Sequence, residues 1–171
     1  MISEAEQFND MVVEDFQETY LNLTVKTTFL LKWVSSSACS RAEFIFKVDD
    51  DVYVSPENLL RTVQKAKLHS VRLPGARKKI KYALIGHVWS RARPNRNKDN
   101  RYYLPPSLYP EARLPVFLSG TAYLLTSSLL SPLYSCALRT PLINLEDVFL
   151  TGLCASKDLG LTLTNDKVGC V

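Results

Sequence analysis

Three consecutive carboxylates, Asp49, Asp50 and Asp51, follow the apolar segment 44–46. We expect the segment to be a strand and the acids to lie in the turn at its end. Adjacent carboxylates repel one another, so a fold that holds them together needs a cation to offset their charge. Mn²⁺ and Mg²⁺ suit such a turn, because few protein ligands hold them and coordination positions stay free for water and phosphate oxygens. The run therefore predicts a metal site for the diphosphate of a nucleotide.

Two other interpretations of the acidic run compete with the metal site. Ser55, Pro56 and Glu57 supply an N-cap, a proline at the first helical position and an acid in the first turn, so the run could simply precede a capped helix. That helix start does not require three acids before it, and the metal site is favoured. An EF-hand calcium loop is disfavoured, because Tyr53 and Val54 stand where it needs an oxygen ligand and a glycine.

A second acidic pair, Glu146 and Asp147, interrupts the apolar segment 145–152. With Asn144 as N-cap, Asp147 falls at the third helical position and could complete a pair resembling a capping box. A carboxylate at a helix start that faces a cleft could equally be a general base, which a sugar hydroxyl needs when it attacks an activated phosphate ester. The residues alone leave both roles open.

Length and composition indicate one globular domain or part of one. The chain has 171 residues, of which 46% are hydrophobic and 22% charged. The net charge of +4 is modest, and basic residues gather between Lys65 and Arg101. No nucleic-acid motif frames this basic stretch, so attraction of an anionic nucleotide is the better explanation. No apolar run approaches the roughly 18 residues of a membrane span.

Two weak features suggest the secretory pathway. Asn22-Leu23-Thr24 is a glycosylation sequon. The cysteines are even in number, which fits two disulfides with three possible connectivities, although buried free cysteines are also common; they are Cys39, Cys136, Cys154 and Cys170.

The first half of the chain predicts the order strand, helix, strand, acidic turn, helix. Segments 10–16 and 44–48 are the predicted strands. The first predicted helix has Leu21, Val25, Phe29 and Trp33 along one face, and the second begins near Pro56 with Leu59, Leu60 and Val63 on its apolar side.

The second half continues the alternation of strands and helices. Strands are predicted at 82–86, 116–125 and 161–163, short helices from Ser131 and from Asn144 to Gly160, and a long exposed loop at 91–104. Gly120 interrupts the second of these strands, either at a simple bulge or where a ligand or backbone approaches closely. Alternating elements predict an α/β sandwich with a largely parallel sheet, whose ligands sit at the carboxyl ends of strands.

Four blocks of the sequence resemble the β-1,3-galactosyltransferases and β-1,3-N-acetylglucosaminyltransferases of the Golgi. Segment 18–26 is similar to that family's Asp-x-Tyr-x-Asn-Leu-Thr-x-Lys block, with Glu18 where Asp is usual. Segment 47–54 resembles the Asp-x-Asp block. Segment 118–125 resembles the Ser-Gly-x-x-Tyr block, with Ala122 where Gly is more frequent, and segment 145–152 resembles the Glu-Asp-Val block. Four blocks in register make a chance match improbable.

The resemblance implies a GT-A fold and an inverting transfer from a UDP-sugar to the 3-hydroxyl of an acceptor sugar on a glycoprotein or glycolipid. Mn²⁺ is the implied cofactor and Asp51 its direct ligand, with Asp49 and Asp50 at the nucleotide sugar or in supporting contacts. Asp147 would be the general base and Asn22 a glycan carrier. UDP-galactose is preferred as donor over UDP-N-acetylglucosamine from overall likeness only.

The resemblance also implies a longer, type II Golgi membrane protein with a lumenal catalytic domain. Family members carry a signal-anchor, a stem and a first strand-helix unit before the matching part, and a metal-binding His after it. We therefore expect residues 1–171 to be one partial catalytic domain, incomplete at both ends, whose own activity is open: a truncated, non-catalytic fragment is the alternative. His69 and His87 precede the Glu-Asp-Val block and are not expected to replace the missing ligand. A metal-dependent hydrolase is a distant third possibility.

Overall fold

A four-stranded mixed sheet organises the chain in the computed structural model, which describes residues 6–8, 11–38 and 41–168. The sheet has the order β1-β5-β4-β6, and β2 and β3 form a separate hairpin-like pair. The strands are β1 (Phe44–Val48), β2 (His69–Val71), β3 (Ile80–Tyr82), β4 (Leu84–Trp89), β5 (Phe117–Thr126) and β6 (Thr164–Asn165).

Helices cover the sheet and connect its strands. They are α1 (Leu23–Trp33), α2 (Pro56–Lys65), α3 (Leu130–Ala137) and a π-helix (Val148–Asp158). Short 3₁₀ turns precede α1 at Tyr20–Asn22 and α3 at Ser127–Leu129, and a π turn at Val34–Ala38 follows α1. In the part of the chain that the structure describes, no helix is long and apolar enough to cross a membrane.

The α/β class is confirmed, but the largely parallel sheet that the sequence predicted is wrong. β1 and β4 both pair with β5 in antiparallel fashion, and only β4 and β6 run parallel. The reason lies between β4 and β5, where residues 90–116 contain no helix. Parallel neighbours need a crossover, usually a helix, whereas a returning loop gives antiparallel neighbours.

β5 is the centre of the hydrophobic core. Its residues from Ala122 to Thr126 are all buried, as are Phe117 and Leu118 at its start. Leu118 and Tyr123 belong to the same buried cluster as Phe149 and Leu150 of the π-helix. Because this packing fixes the π-helix against β5, the acidic pair that precedes the helix is held at the strand.

The start of α2 was predicted correctly. The Ser55 hydroxyl accepts a hydrogen bond from the Asn58 N–H at 3.3 Å, and Pro56 opens the helix. The predicted apolar face is partly wrong, since Leu59 and Val63 pack against a small buried cluster but Leu60 is 61% exposed. α2 therefore rests on the sheet along a narrow stripe.

α1 exists where expected, but its predicted apolar face is only partly right, since Trp33 packs against the core and other members of that face do not. Thr24 and Leu31 are its buried residues, whereas Leu21, in the preceding 3₁₀ turn, and Val25 are exposed. The Thr24 hydroxyl donates to the Ile143 carbonyl at 2.7 Å. This buried hydrogen bond sets the rotation of α1 and leaves Val25 at the surface.

Two predicted strands are absent from their expected positions. Asp10 lies outside the described residues, and residues 11–16 form no strand. Residues 161–163 also form no strand, because the Leu161 N–H donates to the Ala155 carbonyl and the Thr162 N–H to the Tyr82 hydroxyl. These donors are therefore unavailable to a neighbouring strand, and pairing begins only at β6.

The long loop 91–104 was predicted correctly as irregular backbone, but it is anchored rather than fully exposed. Leu104 is completely buried. The Arg96 guanidinium donates to the backbone carbonyls of Leu104, Tyr109 and Glu111, the last two at 2.7 and 3.1 Å. One side chain thus satisfies three carbonyl groups that no strand or helix pairs.

Cys136 and Cys154 are buried free thiols, whereas Cys39 and Cys170 lie outside the described residues. Both described thiols contact the Thr140 hydroxyl, at 3.4 and 3.7 Å. None of the three possible disulfide connectivities is therefore formed, because each would need a bridge to Cys136.

Candidate active site

The pairing of β1 with β5 brings the acidic turn to the middle of β5. Lys47 lies opposite Tyr123 and Val48 opposite Ala122. The Asp49 N–H then donates to the Thr121 carbonyl at 3.1 Å. The turn that carries Asp49 therefore leaves β1 directly beside the glycine-containing part of β5.

This part of β5 departs from regular pairing with β4. Gly86 pairs with Tyr123 and Val88 with Leu118, so β5 residues 119–122 lie opposite the single residue His87. The bulge interpretation of Gly120 is confirmed by this irregular stretch, whereas the predicted close approach of a ligand or backbone is not what the structure shows. What approaches is a side chain, the carboxylate of Asp147.

Asp147 is held by two backbone N–H groups. Its Oδ2 accepts from Gly120 at 3.1 Å and its Oδ1 accepts from Val148 at 2.8 Å. Asp147 is itself the N-cap of the π-helix. Asn144 is not the N-cap of this helix, and its side-chain NH₂ group donates to the Tyr103 carbonyl at 3.0 Å. The predicted capping box, with Asn144 as N-cap and Asp147 at the third helical position, is therefore wrong, because Asp147 is the N-cap itself.

Lys47 connects the two acidic segments. Its ammonium group donates to the Asp49 carboxylate and to the Gly120 carbonyl, and it lies 4.0 Å from Oε2 of Glu146. It also lies 5.9 Å from the centre of the Tyr123 ring. The site therefore carries its own cation between Asp49 and Glu146.

Glu146 is the more deeply buried member of the pair. It is 8% exposed, and its Oε1 accepts a hydrogen bond from the Tyr123 hydroxyl at 2.7 Å. Burial raises the pKa of Glu146 to about 7, although Lys47 and the Tyr123 hydrogen bond pull it down. Glu146 therefore connects Tyr123 and Lys47 in the buried part of the site.

Asp147 combines a perturbed acidity with access to solvent. Burial raises its pKa, while the N–H groups of Val148 and Gly120 and the charge of Lys47 oppose the rise. Each carboxylate oxygen has two acceptor sites, so each keeps one after its bond to the backbone. Asp147 is thus a fixed carboxylate with free lone pairs and an increased affinity for a proton, which are the properties of a general base.

Asp50 and Asp51 lie exposed in the turn after β1, and Asp49 is paired with Lys47. Within the described ranges, no three His, Cys, Asp or Glu side chains form a group that could hold a metal ion. Exposed carboxylate oxygens nevertheless suit Mn²⁺ or Mg²⁺ that is bound through one or two carboxylates plus phosphate oxygens. The donor set fits a metal shared with a phosphate ligand rather than an all-protein cage.

The remaining candidates take no part in this arrangement. Asn22 ends the 3₁₀ turn before α1, and its amide donates to the Gln17 carbonyl at 2.8 Å. The rings of His69 and Tyr82 lie 5.6 Å apart, and those of His87 and Trp89 lie 5.4 Å apart. Both histidines make packing contacts with a neighbouring aromatic ring.

Sequence reasoning missed the roles of Lys47 and Tyr123. Both lie in segments that resemble family blocks, 47–54 and 118–125, and neither was assigned a partner. A single lysine that ends an apolar strand just before three acids was the available signal, because such a cation must be neutralised nearby. Its contact with Glu146 depends on the strand register, which the sequence does not display.

Comparison with known proteins identifies similar sequences along nearly the whole chain. The family model described as Galactosyltransferase matches residues 1–167. Beta-1,3-galactosyltransferase 2 of Homo sapiens is 34% identical over 157 residues, which are 92% of this chain and 35% of that protein. Beta-1,3-galactosyltransferase 1 of Mus musculus is 35% identical over 154 residues, 90% of this chain and 44% of that protein. The chain spans less than half the length of these relatives.

Proposed function

Because this chain belongs to the galactosyltransferase family, we propose that it forms the central part of the GT-A-like catalytic domain of an inverting β-1,3-galactosyltransferase. The reaction would move galactose from UDP-galactose to the 3-hydroxyl of an acceptor sugar on a glycoprotein or glycolipid. One observation carries this proposal: the Asp147 carboxylate is fixed beside the turn that contains Asp49, Asp50 and Asp51.

In this reaction Asp147 accepts the proton of the acceptor hydroxyl. The hydroxyl oxygen forms a bond to the anomeric carbon of galactose while the bond from that carbon to the UDP oxygen breaks. UDP leaves with the electron pair of the broken bond, and a single displacement inverts the anomeric centre. The raised pKa of Asp147 favours the proton transfer, because a base works best when its pKa approaches the working pH.

Asp147 is a better candidate for the base than Glu146, although the pKa of Glu146 is raised to about 7. Glu146 is 8% exposed and faces Tyr123 and Lys47. A hydroxyl of a bound sugar has no route to it without displacing these partners. Asp147 keeps part of its surface exposed and has acceptor sites to spare. Accessibility therefore decides between the two carboxylates.

Asp51 is the proposed metal ligand, and Asp49 and Asp50 are proposed to hold the nucleotide sugar or to support the ligand. When bound there, Mn²⁺ would stabilise the negative charge that develops on the diphosphate as it leaves. Lys47 already neutralises part of the charge of Asp49. Asp50 and Asp51 are consequently the freer carboxylates for a cation.

The same family membership supports a Golgi location for the complete protein, as a type II membrane protein with its catalytic domain in the lumen. Glycosylation of Asn22 would fit such a location. These are proposals about the whole protein.

Isothermal calorimetry with UDP-galactose and UDP-N-acetylglucosamine, with and without Mn²⁺, tests the proposal directly. We expect Mn²⁺-dependent binding of UDP-galactose that is lost in Asp51→Ala. Tighter binding of UDP-N-acetylglucosamine would reassign the donor and make the protein an N-acetylglucosaminyltransferase. A folded chain that binds neither nucleotide would contradict the catalytic proposal and favour a non-catalytic family fragment.

A further inference from the structure

Tyr20, Arg101 and Tyr102 form a cluster that the reaction described above does not use. The Arg101 guanidinium lies 4.7 Å from the centre of the Tyr102 ring and 5.5 Å from that of Tyr20. The two rings meet edge to face with their centres 6.1 Å apart. Arg101 also donates a hydrogen bond to the Tyr102 hydroxyl. Tyr20 thus forms one stacked unit with two residues that lie more than 80 positions later in the sequence.

The cluster is held in place on the loop side by short hydrogen bonds. The Tyr102 N–H donates to the Asn100 side chain at 2.8 Å, and the Tyr103 N–H to the Asn100 carbonyl at 2.9 Å. The Tyr103 carbonyl in turn accepts from Asn144, three residues before Asp147. Tyr102 is therefore connected through its neighbour to the start of the π-helix.

The cluster lies close enough to both acidic segments to exchange electrostatic influence with them. Burial and the adjacent Tyr102 raise the pKa of Tyr20 to about 12, and the charge of Asp147 adds to the rise. The hydrogen bond to Tyr102 raises the pKa of Arg101, with a further contribution from Asp51. The hydrogen bond from the Asn144 amide to the Tyr103 carbonyl places the loop that carries Arg101 and Tyr102 beside the segment that leads to Asp147.

The surface of the cluster suits a carbohydrate. Tyr20 and Tyr102 are 41% and 43% exposed, so a substantial part of each ring is available. The C–H groups on one side of a sugar ring pack well against an aromatic ring, while its hydroxyls need donors and acceptors in fixed positions. The hydroxyl groups of Tyr20 and Tyr102 and the Arg101 guanidinium supply such donors and acceptors directly beside the rings.

We propose that Tyr20, Arg101 and Tyr102 form the platform on which the acceptor sugar rests beside Asp147. This inference rests on the proposed function, because it assigns the second substrate to the same site. Tyr102 and Tyr20 would pack against the sugar ring, and Arg101 would donate hydrogen bonds to its hydroxyls. The platform would thereby orient one hydroxyl toward the carboxylate of Asp147.

Saturation-transfer NMR on the 171-residue chain tests the platform without relying on catalysis. The probes are methyl N-acetyl-β-glucosaminide and methyl β-galactoside, added in the presence of UDP and Mn²⁺. The variants are Tyr102→Ala, Tyr102→Phe and Arg101→Gln, with Leu108→Ala as a control that removes an exposed side chain from the same connection between β4 and β5. Calorimetry of UDP-galactose with each variant reports on the donor site separately.

We expect Tyr102→Ala to weaken sugar binding about tenfold, Tyr102→Phe to change it less than about threefold, and UDP-galactose binding to stay as in the unaltered chain. Leu108→Ala should leave both unchanged. Sugar binding that survives Tyr102→Ala and Arg101→Gln overturns the platform. So does a loss of UDP-galactose affinity in Arg101→Gln, which would place Arg101 at the diphosphate. If the unaltered chain binds no UDP-galactose, it is the proposed function that fails.

Discussion

Gly120 and Asp147 are in direct contact: the glycine N–H donates to the carboxylate at 3.1 Å, and a Cβ atom at position 120 would lie 3.3 Å from Cβ of Asp147. The acid that begins the π-helix is thus seated on the backbone of β5. Glycine is needed here for space rather than for an unusual backbone angle. The position of the proposed base therefore depends on a strand residue that carries no functional group.

Replacing Gly120 by alanine should impair activity more than stability. The added methyl group pushes against Asp147, and small displacements of a catalytic group reduce rates strongly, so we expect at least about a tenfold loss of transfer. The free energy of unfolding should change by less than about 1 kcal/mol, because alanine also removes the flexibility of glycine in a strand.

Gly152→Ala is the matched comparison for this substitution. Its Cβ would lie 2.8 Å from Cγ of Pro115 and 3.1 Å from Cβ of Phe117, in the packed core. We expect it to lower the free energy of unfolding by about 1–3 kcal/mol. Urea denaturation and a transfer assay on both variants separate the two effects. Equal losses of stability would contradict the special role of Gly120.

Asp147→Asn should abolish most of the transfer reaction without preventing folding. An amide cannot accept the acceptor's proton, so the rate should fall about 10²–10⁴-fold. The N–H groups of Gly120 and Val148 bind different oxygens of Asp147, so one of them would face the NH₂ group of asparagine, which costs about 1 kcal/mol of stability. Donor binding should be retained, and Asp166→Asn, at an exposed carboxylate, should leave transfer unchanged. A fully active Asp147→Asn variant would exclude Asp147 as the base.

Lys47→Met should destabilise the fold by about 1–3 kcal/mol, because Asp49 and the Gly120 carbonyl lose a donor and Glu146 loses its nearby cation. In the double variant Lys47→Met with Glu146→Gln, the additional cost of removing Lys47 should be smaller. Lys26→Met is the control, because its ion pair with Glu18 is exposed and worth less than about 1 kcal/mol. Urea unfolding is measured for the unaltered chain, for the single and double variants of Lys47 and Glu146, and for Lys26→Met. Additive losses would show that Lys47 and Glu146 do not interact.

The stability of the fold should decrease as the pH rises from about 4.5 to about 7. Glu146 has a pKa of about 7 in the folded protein and an ordinary value of 4.5, so the folded state binds its proton more tightly than the unfolded chain does. The contribution of Glu146 to the free energy of unfolding is complete below pH 4.5 and is lost as the pH rises past about 7. For this group it amounts to at most about 3 kcal/mol.

Glu146→Gln isolates this contribution, because it keeps the acceptor for the Tyr123 hydroxyl and removes the titration. Unfolding free energies measured at pH 4.5, 6 and 8 should fall less steeply in the variant than in the unaltered chain. A residual fall is expected, since the raised pKa of Asp147 acts in the same direction. Identical pH profiles would mean that Glu146 is ionised throughout.

The sequon at Asn22 and the packing of α1 share one residue, Thr24. In a secretory host, Thr24→Ser should keep both the glycan and the hydrogen bond to the Ile143 carbonyl. Thr24→Val should lose both and cost about 1–2 kcal/mol, because a buried carbonyl is left without a donor. Asn22→Gln should remove the glycan alone. Mass spectrometry and thermal unfolding check these outcomes, and an unmodified Thr24→Ser protein would show that the sequon is unused.

The features that the sequence predicted well are local ones. β1 follows from an apolar run, and the start of α2 follows from Ser55 and Pro56 at their required positions. β5 follows from an apolar segment with one glycine. Each depends on residues a few positions apart, and such patterns are visible in one sequence.

The features that escaped prediction depend on which strand lies beside which. The direction of β4 relative to β5 is decided by a loop without a crossover helix, whose path no local pattern specifies. The contact of Lys47 with Glu146 needs the register of β1 on β5, and a slip of one residue would turn Lys47 to the other face. Tyr20 and Arg101 meet because Arg96 and the buried Leu104 anchor the loop that carries Arg101. The sequence around Tyr20 and Arg101 does not indicate this anchoring.

The inner and outer sides of the anchored loop 91–104 have different roles. Arg96 and the buried Leu104 hold its path, whereas Arg101 and Tyr102 project outward. A substitution on the outer side leaves the buried contacts untouched and changes the free energy of folding little. Over evolutionary time, such a loop allows related proteins to exchange the side chains that meet a ligand while inheriting the same path of the backbone. New specificities can then arise without compensating changes in the core.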